Sequence, residues 1–278
     1  MNTLNYTARE LNSKIINHYE NFPVARFLPK KSREAILILY AFARIGDDIA
    51  DDGLLSKKQK MAQLSIMCNE LNQIKCKKTP TTNFFKKLSI VADKHKLDII
   101  YLENLLKAFK QDVVKNTYKN VDELMSYYKY AANSAGRLYL QVNGYRNKSL
   151  YKFSDNICEA FAMIDMIQDI NDDGKINRVY LPQSLIREYQ IDLNALKKLS
   201  FNDNWKNFRQ FWVSQIKEKL AKGQPLSGHL NGRFSFEVKF MINSGFHLLN
   251  KLEKSPNPFK NTKMNNFDWI MVFIKALI

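Results

Sequence analysis

The sequence predicts an all-α fold. Three observations carry this: only 9 glycines and 7 prolines interrupt 278 residues, apolar side chains recur at three- and four-residue spacing, and two long apolar stretches end in acidic clusters. The prolines (Pro23, Pro29, Pro80, Pro182, Pro225, Pro256 and Pro258) fall mainly at breaks between periodic windows. No Gly/Ser-rich or Pro-rich linker divides the chain, and no internal repeat is visible beyond the acidic motifs. The expectation is one domain spanning 1–278.

The first helical window runs from about 4 to 20. A second, Glu34 to Asp52, is apolar nearly all round from Ala35 to Ala43 before it meets Arg44 and the aspartates, as a central buried helix is. Gly53 is its expected stop. Further windows cover 57–75, the Leu102, Leu105, Leu106, Phe109 and Val113 stripe behind an Asp98 cap, then 121–143, 204–222 and 233–253. Between the 121–143 and 204–222 windows lies a second acidic helix, capped by Ser154, apolar from Ile157 to Ile167 and closed by Asp169 and Asp173. The C-terminal segment Trp269 to Ile278 is strongly apolar but too short to span a bilayer, which takes ~20 residues. It either packs as a terminal core helix, the favoured reading, or lies at an interface.

A net charge of +16 admits nucleic acid, an anionic membrane surface or an anionic small molecule as partner. Two acidic clusters and the lack of a recognisable binding motif argue against nucleic acid. Cys68, Cys76 and Cys158 lack CxxC spacing, and no cleavable signal peptide opens the sequence, so a reducing cytoplasm without disulfides or zinc is expected, with contact at the inner membrane face left open. The four histidines are too scattered to form a metal cluster by sequence.

The acidic clusters carry the chemistry. Asp47 and Asp51 share one helix face, as do Asp169 and Asp173, because each pair is spaced i, i+4. If the two helices face each other, four carboxylates line one funnel. Like charges at that spacing cost roughly 0.2–0.5 kcal/mol per exposed pair, and more where water is excluded. A hard divalent cation relieves the repulsion. Mg²⁺ takes one or two carboxylates and completes its shell with water and phosphate oxygens, which points to a phosphorylated substrate. A solvated helix end is the plainer alternative; the continuation of buried apolar helices into the aspartates, with Arg44 one turn earlier, argues against it.

These stretches resemble the squalene/phytoene synthase family. The likeness rests on Leu39 to Asp52, on Gln168 to Asp173 and on Asn177 to Pro182. It is closer still to the bacterial hydroxysqualene synthase branch through Tyr19 to Ala25 with Leu28 and Pro29, Ala108 to Lys115, Asn133 to Leu138, and Gly223 to Leu226 through Glu253. The resemblance implies an isoprenoid synthase-like helical bundle around a central cavity, and Mg²⁺-dependent prenyl-diphosphate chemistry. It implies that Asp47, Asp51, Asp169 and Asp173 are the catalytic metal ligands, that Arg44 and Arg178 grip phosphate oxygens, and that His18, Tyr40 and Gln168 bind substrate. The implied reaction converts presqualene diphosphate to hydroxysqualene. Head-to-head condensation of two farnesyl or geranylgeranyl diphosphates is the alternative, and a non-catalytic scaffold of the same fold is the alternative of another class. Three positions depart from the family pattern: Ala162 and Asp165 stand where a Gln and an Asn are usual, and Asn177 where Gly precedes the arginine. Asp165 adds a third carboxylate at i, i+4, i+8 with Asp169 and Asp173.

Overall fold

The computed structural model describes residues 27–175, 178–193, 202–255 and 262–277. The described residues are helical throughout, apart from turns and one isolated parallel bridge between Thr117 and Val179. The chain forms two compact units, Met1–Lys115 with Asn133–Tyr151, and Asn116–Ala132 with Lys152–Ile278. The 4–20 window and His18 lie outside the described residues.

In the first unit, α1 (Lys30–Asp51) packs against α2 (Lys57–Lys75), α3 (Asn83–Lys94) and α4 (Ile99–Val114). Its buried face repeats at helical spacing through Ala35, Ile36, Leu39, Phe42, Ile45, Ile49 and Ala50. The expectation of burial on every side is corrected here: Leu37, Ile38, Tyr40, Ala43 and Arg44 are only half-buried. Phe42 meets Phe85 edge-on at 6.1 Å, and Leu64, Met67, Leu88, Leu102 and Leu106 complete the core.

Starts and stops follow local chemistry. Ser56 and Gln59 form a reciprocal capping box on α2, and Thr82 caps α3 through the Phe85 N–H. Each such cap contributes about 1 kcal/mol. Two expected signals act differently. Asp98 stands at the α4 N-cap, but its carboxylate accepts from Gln141 Nε2 at 2.6 Å while Gln141 Oε1 takes the Asp98 N–H, so a distant side chain replaces self-capping. At the end of α1 the turn is made by Asp52, whose Oδ1 accepts the Leu54 N–H at 2.8 Å, rather than by a left-handed Gly53.

The 121–143 window is two helices, α5 (Val121–Tyr130) and α6 (Ala132–Val142), parted at Ala131. α7 (Lys148–Gln168) starts six residues before the expected Ser154; Asn147 Oδ1 accepts the Ser149 N–H there, and Ser154 is buried within the helix. Asp169 interrupts the helix for one residue before α8 (Ile170–Lys175), yet the Asp169 and Asp173 N–H groups still reach carbonyls four residues back at 2.8 Å.

In the second unit α9 (Gln183–Glu188) is followed by α10 (Asp203–Gly223), a 3₁₀ turn at Gln224–His229, α11 (Gly232–Lys254) and α12 (Asn266–Leu277). α11 packs against α10, the 3₁₀ turn and α12. Trp212 is buried and donates its indole N–H to the Met163 carbonyl at 3.2 Å, tying α10 to α7. α12 is fastened at its start by Asp268, which accepts from His247 Nε2 at 2.8 Å, from the Asn265 N–H at 2.8 Å and from Lys251. Burial alone would raise the Asp268 pKa; these three donors outweigh it and hold the carboxyl down at about 2.

Two helix pairs approach closely enough to require glycine. A Cβ on Gly46 would stand 2.4 Å from the Phe109 ring, and one on Gly223 would stand 2.4 Å from Ile157 Cγ1 and 3.0 Å from the Phe153 carbonyl oxygen. Gly46 adjoins Asp47, so the α1–α4 approach also fixes where the first acidic motif sits. Gly46→Val should cost about 1–3 kcal/mol by overpacking, read as a lowered denaturant midpoint at constant slope. An unchanged midpoint would show that the Phe109 ring moves aside freely.

Candidate active site

The first unit presents one polar stripe. Tyr40, Arg44, Asp47, Asp48 and Asp51 follow one another at three- and four-residue spacing and so share the α1 face opposite its core side. Arg44 holds the stripe together: Nη1 donates to Asp47 Oδ2 at 3.2 Å, and Nη2 lies 2.7 Å from Asp48 Oδ1. Its Nε is buried with no hydrogen-bond partner among the described residues. A buried N–H in that state costs about 1–3 kcal/mol, and an anionic ligand is the natural acceptor.

Asp47 is the most strained group of the stripe. Burial pushes its pKa up first, and repulsion from Asp51 adds to this; Arg44 pulls the other way, and Asp48 and Asp112 raise it further, leaving it at about 6. The side chain nevertheless keeps 44% of its surface open to water. It is ringed by protein yet reachable by solvent, as a group on a concave wall is. Tyr40 is also raised, chiefly by burial, so its hydroxyl stays protonated and able to donate at neutral pH.

Asp112 was not anticipated as part of this cluster. It is buried at 8% exposure on α4, beside Asp47 in its field. Its signal lies in the periodicity: Leu105, Ala108 and Asp112 share the buried face of α4, and a carboxylate at a core-facing position calls for a partner.

The second unit carries the other motif. Asp165, Asp169 and Asp173 follow one another at i, i+4 and i+8 across the α7–α8 junction. Asp165 and Asp169 are exposed and Asp173 is half-buried. Surrounding protein, and then Asp169, push Asp165 up to about 7, so the departure at this position adds a carboxyl that shares the repulsion of the motif. Tyr128 on α5 is buried, donates to the Ala162 carbonyl at 3.3 Å, and has its pKa driven well above that of free tyrosine, first by burial and then by Asp165.

The structure brings Arg178 to this motif. Its N–H bonds to the Asp173 carbonyl at 2.9 Å, its Nη1 lies 3.9 Å from Asp173 Oδ1, and its guanidinium sits over the Tyr180 ring at 5.6 Å. The loop is pinned by the Val179 N–H to the Asn116 carbonyl and by the Gln183 N–H to the Tyr118 carbonyl, both at 2.8 Å, with Tyr118 stacked on Tyr180. Gln168, expected to bind substrate, is buried and donates Nε2 to the Thr262 carbonyl at 3.0 Å, which gives it a packing contact across 94 residues. Asn177 lies outside the described residues.

Among the described residues no three His, Cys, Asp or Glu side chains converge as a ready-made metal cage. The donor set still fits Mg²⁺, which needs only one or two carboxylates from each supporting element. Burial first, and the neighbouring carboxylates second, raise Asp47 and Asp165 above the usual carboxylate range.

The squalene/phytoene synthase family model matches residues 17–268. A hydroxysqualene synthase of Zymomonas mobilis is 36% identical over 171 residues, covering 60% of this chain and 56% of that protein. One from Rhodopseudomonas palustris is 33% identical over 65% of this chain and 61% of its own length, and a 15-cis-phytoene synthase of Enterobacter agglomerans is 27% identical over 63% and 64%. The chain thus spans about three fifths of the length of these curated relatives. Among solved structures, squalene synthase HpnC from Alicyclobacillus acidocaldarius superposes with TM-score 0.80 at 25% identity, covering 88% of this chain and 92% of that one. A dehydrosqualene synthase in complex with a ligand reaches TM-score 0.86 at 17% identity over 96% and 93%, a likeness of fold alone.

The Asp47 shift has a definite sign. A carboxyl whose folded pKa lies above its unfolded value binds more protons when folded, so stability falls as pH rises from about 3.8 to about 6 and stays reduced above that. In metal-free protein Asp47→Asn should therefore raise the thermal midpoint at pH 7 and leave it nearly unchanged at pH 3.5. A lower midpoint at pH 7 would contradict the repulsion argument.

Proposed function

The chain belongs to the squalene/phytoene synthase family, and on that premise we propose that it is an enzyme acting on a prenyl diphosphate, converting presqualene diphosphate to hydroxysqualene with release of diphosphate. The observation that carries this reading is the retention of both acidic motifs, each with its own arginine: Arg44 beside Asp47 and Asp48, and Arg178 beside Asp173. The hydroxysqualene synthases at 33–36% identity favour this branch of the family.

In this reading Asp47, Asp51, Asp169 and Asp173 would hold Mg²⁺, which would supply positive charge for the departing diphosphate. Arg44 and Arg178 donate N–H groups to phosphate oxygens in the bidentate manner guanidinium geometry favours. Tyr40, kept neutral, adds a hydroxyl donor at the same stripe. These donors matter most as the C–O bond breaks and both bonding electrons leave with oxygen, because fixed dipoles then meet charge that was spread less unfavourably before. Water bonds to the resulting carbocation and gives up one proton, so presqualene diphosphate and water yield hydroxysqualene and diphosphate in balance.

Condensation of two farnesyl or geranylgeranyl diphosphates is the second reading, favoured by the match to the 15-cis-phytoene synthase. Incubating purified protein with each diphosphate and Mg²⁺, without reductant, separates the two. Hydroxysqualene from presqualene diphosphate is the expected product; phytoene or presqualene diphosphate as the only product would transfer the assignment to condensation.

Asp47→Asn and Asp169→Asn should each lower turnover by about 10²-fold or more while the circular dichroism spectrum stays that of the wild type. Wild-type turnover in both variants would remove the metal-ligand assignment.

A further inference from the structure

α12 has two unlike faces. Asp268, Val272 and Ala276, one turn apart, are buried. Trp269 stacks on Phe240 at 5.8 Å and Phe273 meets Phe236 edge-on at 5.3 Å, so the helix is anchored along α11 at several points. The opposite face carries Phe267 (68% exposed), Ile270 (56%), Met271, Ile274 and Leu277 (64%), with Phe273 at its edge. At 100° per residue these six occupy an arc of roughly 160°. They are six of the eleven large apolar side chains exposed among the described residues, and the other five are scattered between Leu54 and Val114. Single exposed apolar residues need no explanation, whereas a contiguous face of this kind marks a contact surface.

Charge decides what the surface contacts. The only carboxylate of residues 262–277 is Asp268, which is buried and bonded to His247, Lys251 and the Asn265 N–H. The remaining ionisable groups of that segment, Lys263 and Lys275, are exposed. An apolar face flanked by lysines, on a chain of net charge +16, meets repulsion from a second copy of itself and attraction from an anionic lipid surface. No described helix is long and apolar enough to cross a membrane. The geometry is that of a helix lying in the interface plane. The favoured expectation of a terminal core helix is thereby corrected: one face packs and the other is open.

We propose that α12 is a membrane-docking helix, which lays Phe267, Ile270, Met271, Ile274 and Leu277 into the surface of a bilayer containing anionic lipid, with Lys263 and Lys275 meeting the headgroups. The helix is already formed and fastened to α11, so docking does not require a disordered segment to fold. This docking surface is separate from the catalytic assignment and stands whether or not the reaction proposed above is the right one.

The test is flotation of the full-length protein with vesicles of phosphatidylcholine alone, or of phosphatidylcholine with phosphatidylglycerol, beside sedimentation velocity without lipid. Wild-type protein should float with the anionic vesicles far more than with the neutral ones, and less as salt is raised. Ile270→Glu with Ile274→Glu should lower the vesicle-bound to free ratio at least about tenfold, with an unchanged thermal midpoint and sedimentation coefficient. Should that variant misfold, Phe267→Ala with Leu277→Ala replaces it, with a smaller loss in the same direction. Failure of wild-type protein to bind anionic vesicles, or equal binding by the folded variants, overturns the proposal. So does a wild-type dimer that the substitutions dissociate, because the face would then be a contact between copies.

Discussion

Carboxylates one helical turn apart repel, and the repulsion grows as protein replaces the water around them. This chain builds that conflict in both of its units. In the first, Arg44 answers part of it by reaching Asp47 and Asp48 at once, yet burial first and Asp51 second leave Asp47 raised to about 6. In the second, Arg178 stands 3.9 Å from Asp173, and Asp165 is raised to about 7 by its surroundings and by Asp169. An arrangement that costs stability in the isolated protein, set on helices whose other residues pack well, is what a ligand site requires of its scaffold.

The scaffold spends its packing precision at these places. Gly46 lets the Phe109 ring close on α1 directly before Asp47, and Gly223 admits Ile157 within α7, the helix that leads to Asp165 and Asp169. Tyr118, Tyr127 and Tyr180 pack with ring centroids 5.6 to 5.7 Å apart beneath the Arg178 guanidinium. Rigid support of this kind holds the guanidinium in position before any ligand arrives.

Much of this was legible in the sequence. The window 57–75 coincides with α2, and 204–222 and 233–253 fall within one residue of α10 and α11 at each end, because apolar period and caps agree there. Errors arose where a side chain found a partner far away in sequence. Asp98 looked like a self-sufficient cap but is bonded by Gln141. Ser154 is a good cap by type, yet Asn147 took that place and left Ser154 inside the helix. The half-open face of α1 was hidden because Leu37 and Ile38 are apolar, and periodicity cannot tell a core wall from an open one. The outer face of α12 depends on tertiary burial, which no local pattern reports.

The most direct test of the central claim measures the cation itself. Titration of Mn²⁺ followed by electron paramagnetic resonance, with inorganic diphosphate present, should show binding to wild-type protein that Asp51→Asn and Asp173→Asn each weaken by roughly tenfold or more. Wild-type affinity retained in both variants would mean that the acidic motifs do not hold the metal, and the account of this chain as a metal-assisted diphosphate enzyme would not stand.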